Sequence, residues 1–413
     1  MLDDLGLVGD WKDLLDHARD ELSSRHPDMN IQINYMESQY NQRRNLLLTA
    51  LANQAPIDLI SLDQIWLGEF AQKGLLTDLT TRAQSWGKSS DWYEENWQGG
   101  NYEGRVYGIW TWTDVRGIWY WKDLLNKAHV DPNMLKTWEG YVGAAKKLNT
   151  VLRPQGIDGM HLTGANHSPY LWCPYLWMSG GDILEFKSGH PTKANYWFPA
   201  YNSSKGIRAM NFIAEQVKAG IKPQKNHFWG KEFVNRKFAV MIEGSWLPDY
   251  FPHEQWPSLK QRVGFIPMFP VPSLANKTST MVGGWELSIP NTSTHKDLAW
   301  ELITIILKPE ILDPWLAQND FLPTEIPIGQ GLISNKSASS LSSSLSSLSY
   351  YEEMVSLIPY GGSRPSIPEY SQIADHIRQA IDDVYYCIKD PKQALNDAAV
   401  KSAKRWDGRS SVK

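Results

Sequence analysis

Cysteine is nearly absent: 413 residues carry only Cys173 and Cys387. No metal spacing or redox motif accompanies them, so a zinc module and a disulfide-stapled scaffold are both excluded. The pair reads as two free thiols, with a bridge between them left open. Long apolar runs are missing too. The longest, Leu298 to Leu307, is broken by Glu301 and Thr304, and falls short of the roughly 20 residues that span a bilayer. Charge of one sign is not in excess. There are 41 Lys and Arg against 45 Asp and Glu, a net −4, which gives no reason to expect nucleic acid or an anionic membrane as partner. Met1 is followed by Leu-Asp-Asp, not by a basic and then apolar stretch, so no leader is visible. The chain is cytoplasmic or a mature exported domain whose leader is removed.

Catalytic signatures are also lacking. There is no P-loop, G-x-S-x-G, H-E-x-x-H or G-x-G-x-x-G. The ten His are scattered, without shared metal spacing on one helix face. Adjacent carboxylates such as Asp3-Asp4, Glu94-Glu95, Glu352-Glu353 and Asp382-Asp383 point apart and read as solvated faces. A glycosidase needs two carboxylates converging on one bond, and no pattern here identifies such a pair. No metal, no cofactor and no enzymatic activity are expected. No internal repeat is present.

What the chain has in abundance is aromatic surface: 20 Trp and 18 Tyr. Most belong in cores, but Trp66, Trp112, Trp246 and Trp285 stand beside polar or turn residues. A sugar ring offers C–H patches to aromatic plates and a rim of hydroxyls to a few placed polar groups. The length exceeds one hydrophobic core and suits two domains.

Along the chain, Trp11, Leu14, Leu15, Ala18 and Leu22 keep helical spacing, with Asp10 as cap and Pro27 beyond the end. Ile31 to Tyr35 alternates like a strand, Arg43 to Asn53 is helical, and Ile57 to Leu62 is an apolar strand ending at Asp63. This βαβ rhythm predicts a mostly parallel sheet, whose ligands bind beyond the carboxyl ends of strands. Strands are expected again near Val106–Ile109, Trp110–Asp114, Gly117–Trp121, Phe238–Ile242 and Met281–Ile289. Helices are expected over Pro169–Met178, Ser203–Ala219, Gly230–Arg236, Asp297–Leu307, Ser371–Tyr386 and Pro391–Ala403. Ser337 to Ser349 is a flexible linker by composition or a surface helix by the spacing of Leu341, Leu345 and Leu348.

Several short motifs join aromatic and hydrogen-bonding residues at strand ends. They are Ser61-Leu62-Asp63-Gln64-Ile65-Trp66, Trp112-Thr113-Asp114-Val115-Arg116, Glu243-Gly244-Ser245-Trp246, Gly283-Gly284-Trp285-Glu286 and Arg364-Pro365-Ser366. To these add Trp119-Tyr120-Trp121-Lys122-Asp123-Leu124-Leu125, Thr137-Trp138-Glu139 and Ser179-Gly180-Gly181-Asp182. In this order, from about Trp11 to Ala403, they resemble the extracellular solute-binding proteins of sugar ABC importers, which include the maltose- and trehalose-binding proteins.

The resemblance implies an α/β, two-lobed periplasmic-binding-protein-like fold with a hinge between lobes. Residues 1–113 plus 276–330 would form the N-terminal lobe, and 114–275 plus 331–413 the C-terminal lobe. Crossings are expected near Trp110–Arg116, Ile266–Ser279 and Phe321–Ser334. The implied partners are a small carbohydrate, held in the cleft, and the transmembrane permease subunits of the importer, with the protein itself a monomer. The location would be periplasmic or extracellular, with a membrane anchor supplied by a leader. Carried over to this chain, Asp63 and Asp114 would accept hydrogen bonds from sugar hydroxyls, and Arg364 with one of Arg43 or Arg44 would donate them. Trp246 and Trp285 would stack on sugar faces, with the Gly283 backbone close by. Trp112 and one of Tyr175 or Trp177 would add aromatic surface, and Asp10 a further carboxylate. Alternatives stand beside these roles: Asp63 can cap the following helix, Trp285 can be core, and Arg364 can pair within its own lobe. The chief departure is at the start. Relatives open with a strand, whereas only about nine residues precede Trp11; either a leader is cut late or that strand is lacking, which leaves the N-terminal contribution to the site open.

Overall fold

The structure, a computed structural model, describes residues 2–3, 11–33, 36–37, 40–161, 168–190, 193–222, 229–252, 261–268, 280–319, 321–334 and 351–407. Asp10, the Ser337–Ser349 segment and most of the Ile266–Ser279 crossing lie outside the described residues. The chain divides into two units. Unit 1 is Met1–Asp114, Val282–Pro359 and Ser366–Tyr370; unit 2 is Val115–Met281, Tyr360–Pro365 and Ser371–Lys413.

Their main sheets use β1 (Ile60–Asp63), β2 (Ile109–Asp114), β3 (Arg116–Trp121), β4 (Asp158–Met160), β5 (Phe238–Gly244), β6 (Val263–Pro267) and β7 (Gly283–Ser288). Unit 1 holds a three-stranded sheet in the order β1-β7-β2, and unit 2 a four-stranded sheet in the order β6-β3-β5-β4. The expected mostly parallel sheet is corrected. β7 runs antiparallel to both β1 and β2, and in the four-stranded sheet of unit 2 only the β4–β5 pairing is parallel. The reason is the path of the chain. It leaves unit 1 at Asp114, the end of β2, and re-enters at Val282. The returning strand therefore starts where β2 stops. This puts the carboxyl ends of β1 and β2 and the start of β7 on one edge of the sheet.

Helices form where apolar spacing and caps predict them. Trp11–Arg25 buries Trp11, Leu14, Leu15, Ala18 and Leu22, a stripe that recurs every three to four residues. Thr137 caps Trp138–Leu152 by accepting from Gly140 N, and Ser203 caps Ser204–Lys218 by accepting from Gly206 N. Near the start, two expectations change. A two-residue strand, Leu2–Asp3, does precede the first helix, and it pairs in parallel with Met36–Glu37. Ile31 to Ile33 makes no ladder; Ile31 and Ile33 instead pack against the core, so their alternation reflects burial without strand pairing.

Tryptophan supplies much of the unit 1 core. Trp11 and Trp315 meet at 4.9 Å, Trp86 and Trp92 at 5.2 Å, and Trp92 and Trp97 at 5.6 Å between ring centroids. Each buried ring of this kind removes a large apolar area from water, and tilted pairs add about 0.5–1.5 kcal/mol beyond burial. The third expected crossing, near Phe321–Ser334, is also corrected. Leu322 exchanges backbone hydrogen bonds with Thr113, and the Tyr351 hydroxyl donates to Phe321 O. These bonds tie 321–334 and 351 to unit 1, and the change of unit falls at Pro359–Tyr360. Cys173 is buried, Cys387 is exposed, and both are free.

Candidate functional site

In unit 1 the pairing register assembles one row across three strands. Asp63 on β1 is opposite Trp285 on β7, which is opposite Trp112 on β2; Gly283 is opposite Asp114 beside it. Cα partners share a face of the sheet, so both carboxylates and Trp285 sit on the same face at the strand-end edge. Gly283 is held on both sides. Its N–H donates to Asp114 Oδ1 at 3.1 Å, and its carbonyl accepts from Thr113 Oγ1 at 2.8 Å. Thr113 Oγ1 in turn accepts from Asn96 at 2.9 Å. Gly284 has φ of +150°, a conformation that L side chains avoid. A bulge follows between Trp285 and Glu286 and re-aims the strand, as bulges beside binding sites do.

Trp285 is half-buried. The edge of Trp66 meets it at 6.0 Å and 89°, and the Arg43 guanidinium lies over its ring at 4.8 Å. Of the two candidate arginines, Arg43 is the one beside Trp285, and it is buried. Arg44 faces Glu69 instead, its Nε donating at 2.9 Å. Asp63 adopts the capping alternative at least in part: its Oδ1 accepts from Ile65 N at 3.3 Å at the start of the Gln64–Trp66 turn.

Two expected ligand residues are core. Trp112 is stacked on Phe321 at 4.4 Å and 13° and is 3% exposed. Strand alternation aims it correctly, but Phe321 covers its face. Tyr175 is 4% exposed and meets Trp138 and Phe212 edge-on at 5.8 and 5.0 Å. Its neighbour Trp177 is half-buried, donates to Asp182 at 3.3 Å and lies against Gly362. Arg364 is half-buried on the segment after Gly362. It lies near the Cys173 thiol, which burial pushes up to about 12 against the opposing Arg364 charge.

Unit 2 carries a separate aromatic group. Trp246 follows β5 and is half-buried. The Arg116 guanidinium lies 4.3 Å from the Trp246 ring and 4.8 Å from the Tyr170 ring. Arg116 was legible only as part of a motif, because stacking between plates has no signature in spacing. Glu286 was missed in the same way. It is fully buried, and burial, then the like charge of Asp63, holds its carboxyl well above the usual range. Among the described residues no cluster of His, Cys, Asp and Glu could hold a metal ion, and no helix is long and apolar enough to cross a membrane.

Residues 11–311 match the family described as bacterial extracellular solute-binding protein. The chain belongs to that family. Its fold is the two-lobed, periplasmic-binding-protein-like α/β fold, and its family is one of binding proteins rather than enzymes. The chain is 22% identical over 295 residues to a probable amino-acid ABC transporter periplasmic-binding protein of Sinorhizobium fredii; the match covers 68% of this chain and 63% of that relative. It is 24% identical over 297 residues to the arabinooligosaccharide-binding protein of Bacillus subtilis, again over 68% and 63%. Among solved structures, the GacH receptor of Streptomyces glaucescens, determined unliganded and with acarbose, has a TM-score of 0.76 at 18% identity, covering 98% of this chain and 96% of the other. At such identity the likeness speaks to the fold alone.

Proposed function

We propose that this family member captures a small carbohydrate, a disaccharide or glycoside such as trehalose, maltose, sucrose or glucosylglycerol, and delivers it to the permease of an ABC importer. The observation that carries this reading is the unit 1 row: a half-buried Trp285 plate flanked at one sheet edge by the Asp63 and Asp114 carboxylates. A carboxylate accepts strong, charge-assisted hydrogen bonds from hydroxyls, and the Trp285 face suits a sugar C–H patch. Arg43, behind that ring, adds a guanidinium donor. Trp246 in unit 2 offers a second half-buried plate. A site built around such acceptors rejects ligands without hydroxyls, because desolvated carboxylates left unpaired cost about 1–3 kcal/mol each or more. The Sinorhizobium relative, by its name, serves amino acids, so an amino acid or another polar solute is the second reading.

A thermal-shift screen separates the two. A ligand that binds only the folded state stabilises it by about 2.7 kcal/mol at a hundred times its Kd. Trehalose, maltose, sucrose, glucose and glucosylglycerol are screened beside the common amino acids. A raised Tm with at least one sugar and none of the amino acids is expected. Stabilisation by amino acids alone would overturn the carbohydrate reading. Release of reducing sugar from a glycoside would instead point to an enzyme.

A further inference from the structure

We propose that Arg116 is a positioning residue that sets the plane of Trp246 for ligand stacking. Its backbone is pinned first. Arg116 N–H donates to Thr280 Oγ1 at 2.7 Å, and the Thr280 hydroxyl donates back to Arg116 O at 2.9 Å. Arg116 is also in register with Gly244, the last residue of β5, so its side chain starts beside the turn that carries Trp246. The buried guanidinium then lies between two aromatic rings, Trp246 at 4.3 Å and Tyr170 at 4.8 Å. A flat, delocalised cation fits between two ring faces as an ammonium cannot.

The rest of the assembly fixes both plates. The Tyr170 hydroxyl donates to Glu243 Oε1 at 3.1 Å, and the same oxygen accepts from Gly244 N at 2.9 Å. One carboxylate thus joins the Tyr170 plate to the Trp246 turn. Trp119 Nε1 donates to Gly244 O at 3.2 Å, and Ser245 N donates to Val115 O at 2.9 Å. Trp246 folds back so closely over Gly244 that a Cβ there would come within 2.2 Å of its ring. The turn therefore packs Gly244 against the six-membered end of the ring, and the Arg116 guanidinium lies over the ring itself. The ring is consequently pre-set before any ligand arrives, which lowers the ordering cost of binding.

The use of Trp246 by a sugar rests on the carbohydrate reading; its orientation by Arg116 does not, and the two are tested separately. Near-ultraviolet circular dichroism of the full chain, wild type minus Trp246→Phe, isolates the Trp246 signal without ligand. Arg116→Lys and Arg116→Met are expected to reduce or reshape that signal while far-ultraviolet spectra stay unchanged, since Lys keeps the charge and loses the plane. An unaltered Trp246 signal in a folded Arg116→Met protein would overturn the proposal, even if its Tm falls. Calorimetry with maltose and trehalose then tests use. Arg116→Met should weaken binding about tenfold, and should add little in a Trp246→Ala background. An equal loss in both backgrounds would show that Arg116 does not act through Trp246. If neither sugar binds the wild type, the carbohydrate reading fails, and the dichroism result still decides the positioning.

Discussion

Glu325 offers a quantitative test of the unit 1 packing beside the candidate site. It bridges to Trp92 three residues beyond Leu322, which pairs with Thr113 of β2. It is 3% exposed, and its Oε1 is buried without a hydrogen-bond partner. Burial raises its pKa from 4.5 to about 7; Lys88 opposes the rise, and Asp91 and Asp313 add to it. Between those pH values the folded chain holds a proton that the unfolded chain has released. The associated stability is therefore full below pH 4.5 and is lost as pH rises through 7. At 1.36 kcal/mol per unit, the loss amounts to at most about 3 kcal/mol. Glu325→Gln stays neutral throughout and nearly matches the protonated acid in shape. It should equal wild type at pH 4.5 and exceed it at pH 8 by up to about 3 kcal/mol, or several degrees in Tm at about 2–4 °C per kcal/mol for a unit of this size class. Asp313, also raised to about 7 by burial, is common to both proteins and largely cancels in the difference. Thermal unfolding at pH 4.5, 6 and 8 gives the comparison. Parallel curves for the two proteins, or an advantage for Glu325→Gln at low pH only, would refute the reasoning.

Three further outcomes follow from particular contacts. Gly283→Ala places a Cβ 2.9 Å from the Asp114 carboxylate and should displace it, weakening sugar binding by about tenfold or more in calorimetry, roughly 1.4 kcal/mol. Trp112→Ala should cost about 3–5 kcal/mol of stability in denaturant unfolding, because its stack on Phe321 is core; ligand affinity of the folded fraction should hold. Arg43→Met should lose affinity through Trp285, whereas Arg44→Ala removes a half-exposed ion pair with Glu69 and should change stability by no more than about 1 kcal/mol and affinity not at all.

Part of the candidate site was legible because strand ends and turns leave local marks. Asp63 closes an apolar run, and Gly283-Gly284-Trp285 marks a close backbone approach at the start of a strand. What was illegible depended on pairing. β7 was recognisable as a strand, but its antiparallel entry between β1 and β2 follows from a chain that leaves and returns. Trp112 and Trp285 look alike in sequence, each an aromatic beside polar residues. Phe321, some 200 residues away in the chain, makes one of them core. The choice between Arg43 and Arg44 required knowing that Glu69 sits one helix later in reach of the second. Glu286 and Arg116 stand inside the sequence motifs, but nothing local marks their surroundings, because a buried carboxyl and a stacked guanidinium are defined by what packs around them.

The most direct test of the central claim is a calorimetric titration of wild type, Asp63→Ala and Trp285→Ala with trehalose, maltose, sucrose, glucose and glucosylglycerol. The account predicts saturable binding of one sugar per wild-type chain, weakened about tenfold or more in each variant. No heat from any sugar, or variants that bind as wild type does, would contradict it.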